Sequence, residues 1–127
     1  MTSDPAGQPS SDPDEFRADP EAIDTGVVLR LHGSVDYATA PAAHEQLDAV
    51  EATLTPPGVL VLDLTGVTFL GSPGLSLLVH YHLLCQKRGN QLRVVAADRT
   101  VLRPIMLTGL DQMLTITASV DQATAAS

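Results

Sequence analysis

A chain of 127 residues, 44% of them apolar, is long enough for one domain with its own core, burying roughly two-thirds of the unfolded surface. Tryptophan is absent and the aromatic side chains are Phe16, Tyr37, Phe69 and Tyr81, so the core is aliphatic and offers few stacking platforms for single-stranded nucleic acid. A net charge of −8 argues equally against binding a phosphate backbone, and most of that charge sits in residues 1 to 22, where six acids face Arg17 alone.

Residues 1 to 21 are rich in Pro, Asp, Ser and Ala with almost no aliphatic side chains, a composition that does not offset ordering entropy. They read as a disordered acidic tail, with Phe16 at most entering a weak first strand, and residues 22 to 127 as the folded domain. The start has neither a basic nor an apolar segment of a secretory signal, and no apolar run is long enough to span a bilayer, so a cytosolic protein without membrane contact is expected. Asp24-Thr25-Gly26 signals a turn, and Val27, Leu29 and Leu31 alternate as in a strand with one buried face, running to Gly33. Helical spacing follows: Thr39 suits the N-cap, Pro41 the first turn, and Ala42, Leu47, Val50 and Leu54 the buried face, until Pro56-Pro57-Gly58 ends the helix.

Gly58 to Val67 is an aliphatic run interrupted only by Asp63, the pattern of a central strand buried on both faces. A helix from Pro73 to Arg88 is expected next, with Ser72 as N-cap, Pro73 at the first helical position and Lys87-Arg88 at the negative end. Gln91 to Ala97 reads as a strand, Arg99 to Thr108 as a short helix, and Met113 to Thr117 as an edge strand. Pro104 must then lie in the third helix's first turn or break it. Strands alternating with helices in this way imply an α/β fold with one mixed or largely parallel sheet.

Open sheets of this class bind ligands beyond the carboxyl ends of their strands. Two loops qualify, Gly33-Ser34-Val35-Asp36 and Phe69-Leu70-Gly71-Ser72; if their strands are neighbours, Asp36 and Ser72 share a surface. As an N-cap, the Ser72 hydroxyl contributes about 1 kcal/mol. As a phosphorylation site it would place about −1.5 to −2 charges at a helix start that tolerates them. As an acyl-transfer nucleophile it fails, because Leu70-Gly71-Ser72-Pro73-Gly74 lacks the first glycine of G-x-S-x-G.

His82 and Cys85 can share a helical face, but two ligands make a weak case for zinc, and a buried apolar role suits the single Cys85 better. Neither phosphate-cradling glycine motif occurs. No catalytic residue, metal or cofactor is therefore assigned. Arg99 and Arg103 stand four apart on the third helix; an exposed apolar pair such as Ile105-Met106 beside them would mark a contact surface rather than solvated charge.

Three segments carry a resemblance: Leu31-His32-Gly33-Ser34-Val35-Asp36-Tyr37-Ala38-Thr39-Ala40, Leu62 to Leu75 with Phe69-Leu70-Gly71-Ser72-Pro73-Gly74, and Leu107-Thr108-Gly109-Leu110. In order and spacing they resemble the STAS domain of bacterial anti-sigma factor antagonists, from about Val27 to the C-terminus. The resemblance implies a four- or five-stranded mixed sheet with three to four helices mainly on one face. It implies a partner, an anti-sigma factor with a histidine-kinase-like ATPase fold, which the unphosphorylated protein binds so that a sigma factor is freed. It further implies that this partner phosphorylates Ser72, that a serine phosphatase reverses the step, and that Asp36, Tyr37, Leu70, Gly71, Ser72, Pro73 and Gly74 form the docking surface. Members commonly carry Asp before the serine and Ser or Thr after it, where this chain has Gly71 and Pro73. That leaves two other readings within the family: a scaffold or sensor module that is not phosphorylated, and a small-ligand-binding domain.

Overall fold

The computed structural model of the chain describes residues 12–125. In order it forms β1 (Arg17–Ile23), β2 (Gly26–Val35), α1 (Ala40–Glu51), β3 (Val59–Leu70), α2 (Ser72–Lys87), β4 (Gln91–Val95), α3 (Arg99–Leu107), a 3₁₀ turn (Leu110–Gln112), β5 (Thr115–Thr117) and α4 (Val120–Ala125). The strands build one five-stranded sheet in the order β1-β2-β3-β4-β5, with β1 antiparallel to β2 and every other pairing parallel. The expected mixed sheet is present, and its two faces explain the sequence pattern.

Alternate residues of the central strands, among them Leu29, Leu31, Leu60, Leu62, Leu64, Leu92 and Val94, form one core with Leu47, Leu78, Val101 and Ile105 from α1, α2 and α3. The intervening Val28, Val59, Val61 and Val95 pack with Ala123 of α4 on the other side. Because β3 is covered on both faces, it reads as a continuous aliphatic run. Asp63 interrupts that run yet is only 8% exposed; its Oδ1 accepts from the Thr65 N–H at 3.0 Å and the Thr65 hydroxyl at 2.6 Å, and the Arg30 guanidinium lies 3.7 Å from Oδ2.

The expected acidic tail is corrected where it is described. Arg17 to Ile23 pair residue by residue with His32 to Gly26, and Phe16 and Ala18 pack on the larger core. Backbone pairing at a sheet edge orders this strand with most side chains exposed, so a count of aliphatic residues overlooks it. Pro20 is tolerated because an edge strand has one side on which no donor is needed. The earlier part of the expected tail, residues 1–11, lies outside the described residues.

Several boundaries also move. Ala43, not Ala42, is the buried alanine of α1. β4 ends at Val95 and β5 begins at Thr115, two residues short of and two residues after the positions expected. Pro104 neither starts nor breaks α3 but sits inside it. Its missing N–H removes one helical bond, yet Val101 and Ile105, both almost fully buried, hold the turn on the sheet, and the Thr108 N–H and hydroxyl both reach the Pro104 carbonyl, at 3.2 and 2.8 Å.

Candidate functional site

The register of β2 on β3 runs to the last residue of each, with Ser34 opposite Phe69 and Val35 opposite Leu70. The ladder continues one step further, the Gly71 N–H donating to the Val35 carbonyl at 2.9 Å. Beyond it the chain turns into α1 on one side and α2 on the other, so the two loops singled out by sequence meet at one end of the sheet.

At the β2–α1 corner Asp36 and Thr39 bind each other's backbone. Asp36 Oδ1 accepts from the N–H groups of Ala38 at 2.9 Å and Thr39 at 3.1 Å, while Thr39 Oγ1 accepts from the Asp36 N–H at 2.9 Å. The Thr39 hydroxyl donates to the Ser34 carbonyl at 2.8 Å. Thr39 holds the N-cap position, as expected, but its side chain caps no helical N–H; it turns back to Asp36 and Ser34, and Asp36 Oδ1 braces the two residues just before the helix. Tyr37, between them, is 83% exposed.

The β3–α2 corner departs from expectation. Gly71, extended at φ −88° and ψ −177°, is the N-cap; Ser72 and Pro73 are the first two helical residues, and no side chain caps the helix. Gly71 takes the role because its N–H is still in the sheet ladder while its carbonyl accepts from the N–H groups of Gly74 at 2.9 Å and Leu75 at 3.1 Å. Pro73 fits the second position as readily as the first, since neither needs an intrahelical donor. The Ser72 side chain is therefore exposed and, among the described residues, committed to no hydrogen bond.

Of the expected docking residues, Asp36, Tyr37, Gly71, Ser72 and Pro73 reach the surface at this corner, whereas Leu70 and Gly74 are buried beneath it. Their role is support. A Cβ at position 74 would stand 2.5 Å from Leu70 Cδ1 and 3.0 Å from Val35 Cγ1, so glycine lets the first turn of α2 rest directly on the sheet. At position 71 a Cβ would meet the Phe69 ring at 3.0 Å, and that ring is itself half exposed beside the corner.

Sequence reasoning missed the groove between α1 and α2, about 460 Å³, that continues from this corner along Tyr37, Pro41, His44, Pro73, Leu77 and His80. The two helices are tied together by Tyr81 of α2, whose hydroxyl donates to Asp48 Oδ1 at 2.5 Å with the His44 Nδ1 and carbonyl each 3.0 Å away. Burial, then the hydrogen bond and charge of Asp48, raise the Tyr81 pKa well above the ordinary tyrosine value. A polar tip on a fully buried ring, at helical spacing from Leu77 and Leu78, was the available signal.

Further along the same helix pair, Glu51 is buried and receives Arg88 Nη1 at 2.6 Å. Cys85 lies fully buried; desolvation, reinforced by the Glu51 charge against an opposing effect of Arg88, pushes its thiol up to about 11. It is the small apolar core residue anticipated. Among the described residues no group of three His, Cys, Asp or Glu is placed to hold a metal ion, and no helix is long and apolar enough to cross a membrane.

The sequence matches the STAS domain family over residues 17–123. The chain belongs to that family. This STAS domain is 37% identical over 98 residues to the anti-sigma-F factor antagonist RsfB of Mycobacterium tuberculosis, covering 76% of each chain. It is 29% identical over 104 residues to RsfA of the same organism, also an anti-sigma-F factor antagonist, covering 82% of this chain and 81% of RsfA. Among solved structures, that of an anti-sigma factor antagonist from Mycobacterium paratuberculosis superposes with a TM-score of 0.82 at 38% identity, covering 92% of this chain and 97% of that one. The five-stranded STAS sheet with α1, α2 and α3 on one face and the short α4 on the other is thus the family's fold carried by this sequence.

Proposed function

We propose that this STAS domain is an anti-sigma factor antagonist, without catalysis of its own, that works in the cytoplasm by docking the Ser72 corner onto an anti-sigma factor and freeing a sigma factor. The observation that carries the reading is the exposed, uncommitted Ser72 hydroxyl flanked by Asp36 and Tyr37. Relatives named as anti-sigma factor antagonists, at up to 38% identity over most of the chain, support it.

In the full mechanism the partner has a histidine-kinase-like ATPase fold and transfers phosphate from ATP to Ser72; a serine phosphatase restores the docking form. A phosphate at an exposed first-turn position leaves the fold intact but brings charge and desolvation cost into a tight interface. Near-complete handover requires about 10⁴-fold discrimination, equivalent to about 5.5 kcal/mol. The test is incubation of the protein with ATP and a kinase-fold anti-sigma factor encoded beside it, with phosphate mapped by mass spectrometry and affinity measured by calorimetry. Ser72→Ala should bind and resist release by ATP, and Ser72→Asp should bind at least about tenfold more weakly. Equal affinities, or phosphate elsewhere, would overturn the switch.

One observation favours a second reading, in which the corner docks a partner but is not phosphorylated. Pro73 has no N–H and that of Gly74 turns back to the Gly71 carbonyl, so the first turn offers a phosphate less backbone support than most helix starts. Binding without any label transfer would select this reading.

A further inference from the structure

The outer face of α3 carries a surface that the Ser72 corner does not use. Arg99 and Arg103 are exposed there, and neither makes an ion pair among the described residues, whereas Arg30 and Arg88 are both paired with carboxylates. The apolar neighbours that would turn these cations into a contact surface are present, though shifted by one residue from the expected pair. Ile105 is fully buried, while Met106 and Leu107 are 59% and 75% exposed. With Leu102 and the two arginines they line a depression of about 270 Å³.

Three features indicate what fits this surface. Positions 99, 102, 103, 106 and 107 recur at three- and four-residue spacing, the stripe one helix offers to another. Its rim is cationic on a chain of net charge −8, so the complementary surface is acidic. Finally, Arg99 opens the helix, where the dipole disfavours a cation, so helix stability does not account for it. Two cations beside three apolar side chains are too few for a phosphate backbone or an anionic lipid surface, which clusters of Lys and Arg bind.

We infer that the outer face of α3 is a second protein-docking surface, fitted to an acidic amphipathic helix of a partner protein. The partner's apolar stripe lies on Leu102, Met106 and Leu107, and its carboxylates meet Arg99 and Arg103. The inference does not rest on the reading of Ser72, since none of these residues belongs to that corner.

The test is a nuclear magnetic resonance titration of the ¹⁵N-labelled full chain with a capped helical Glu/Ala/Leu peptide, leucines recurring at i, i+3 and i+7, and with the same peptide carrying Lys for Glu. The acidic peptide should shift resonances of Arg99 to Leu107 and leave those around Ser72 in place. Affinity should fall by about tenfold or more for the Lys peptide, for Arg99→Glu/Arg103→Glu and for Met106→Ser/Leu107→Ser. All four side chains are exposed, so the fold should survive; if charge reversal changes the reference spectrum, Arg99→Gln/Arg103→Gln replaces it. Four results would overturn the inference: no shifts on α3, equal binding of the two peptides, self-association of the free protein through α3, or matching shifts with phosphatidylglycerol vesicles.

Discussion

At the β2–α1 corner the side chains of Asp36 and Thr39 satisfy the backbone, while at the β3–α2 corner, one strand away, no side chain does. The first is held by hydrogen bonds among residues two to five apart; the second is held by the sheet ladder at Gly71 and by close packing under Gly74. The difference teaches why Ser72 is available. A corner secured by backbone and sterics leaves its hydroxyl outside the structural hydrogen-bond network, and the bracing at the neighbouring corner holds Asp36.

If the second corner depends on close packing, adding atoms there should do the most damage. Gly74→Val forces branched carbons against Leu70 and Val35 and should cost about 3 kcal/mol, the upper end for overpacking a filled site. Urea denaturation reads the cost, and partner binding should weaken with it as the start of α2 lifts. A change below about 0.5 kcal/mol would mean that the helix has room to shift and that packing does not fix the corner.

The first corner should respond to removal instead. Asp36→Ala removes the acceptor of the Ala38 N–H and one of the two acceptors of the Thr39 N–H, which keeps the Asp36 carbonyl at 3.2 Å, and should cost about 1 kcal/mol. Thr39→Val keeps the shape while removing the acceptor for the Asp36 N–H and the donor to the Ser34 carbonyl, for about 1 kcal/mol. The two should be less than additive, because they serve one network, and a double-mutant cycle measures the shortfall. Strict additivity would separate Asp36 from Thr39 and leave the first corner no more cross-braced than the second.

How much of this was legible in the sequence depends on what orders each element. Strands β2, β3 and β4 and helices α1 and α2 announce themselves because burial of side chains orders them, and burial leaves a period in the sequence. β1 left no such trace, being an edge strand ordered by its backbone. α4 left a faint one: Gln122, three residues after Ser119, supplies a side-chain oxygen to the Ala118 N–H, and its own N–H reaches Ser119 Oγ at 3.1 Å. The rule that such sheets bind at strand ends singled out the Asp36 and Ser72 loops, but that they meet depends on β2 and β3 being neighbours, which only the register shows. The assignment of the cap to Ser72 did not survive, because a preference for serine says nothing of how far the sheet ladder runs, and here it runs to Gly71.

That last point yields the smallest expected effect and the one that discriminates most. Were Ser72 the cap of α2, Ser72→Ala would cost about 1 kcal/mol. With Gly71 in that role and the hydroxyl unbonded, the substitution removes only exposed oxygen from a helical position that favours alanine. Stability should then change by less than about 0.5 kcal/mol in either direction. A null result in urea denaturation combined with a change in partner release under ATP would assign the hydroxyl to recognition rather than to folding. A loss near 1 kcal/mol would make the two corners alike, each spending a side-chain oxygen on its own helix, and would remove the structural ground for treating Ser72 as the free one.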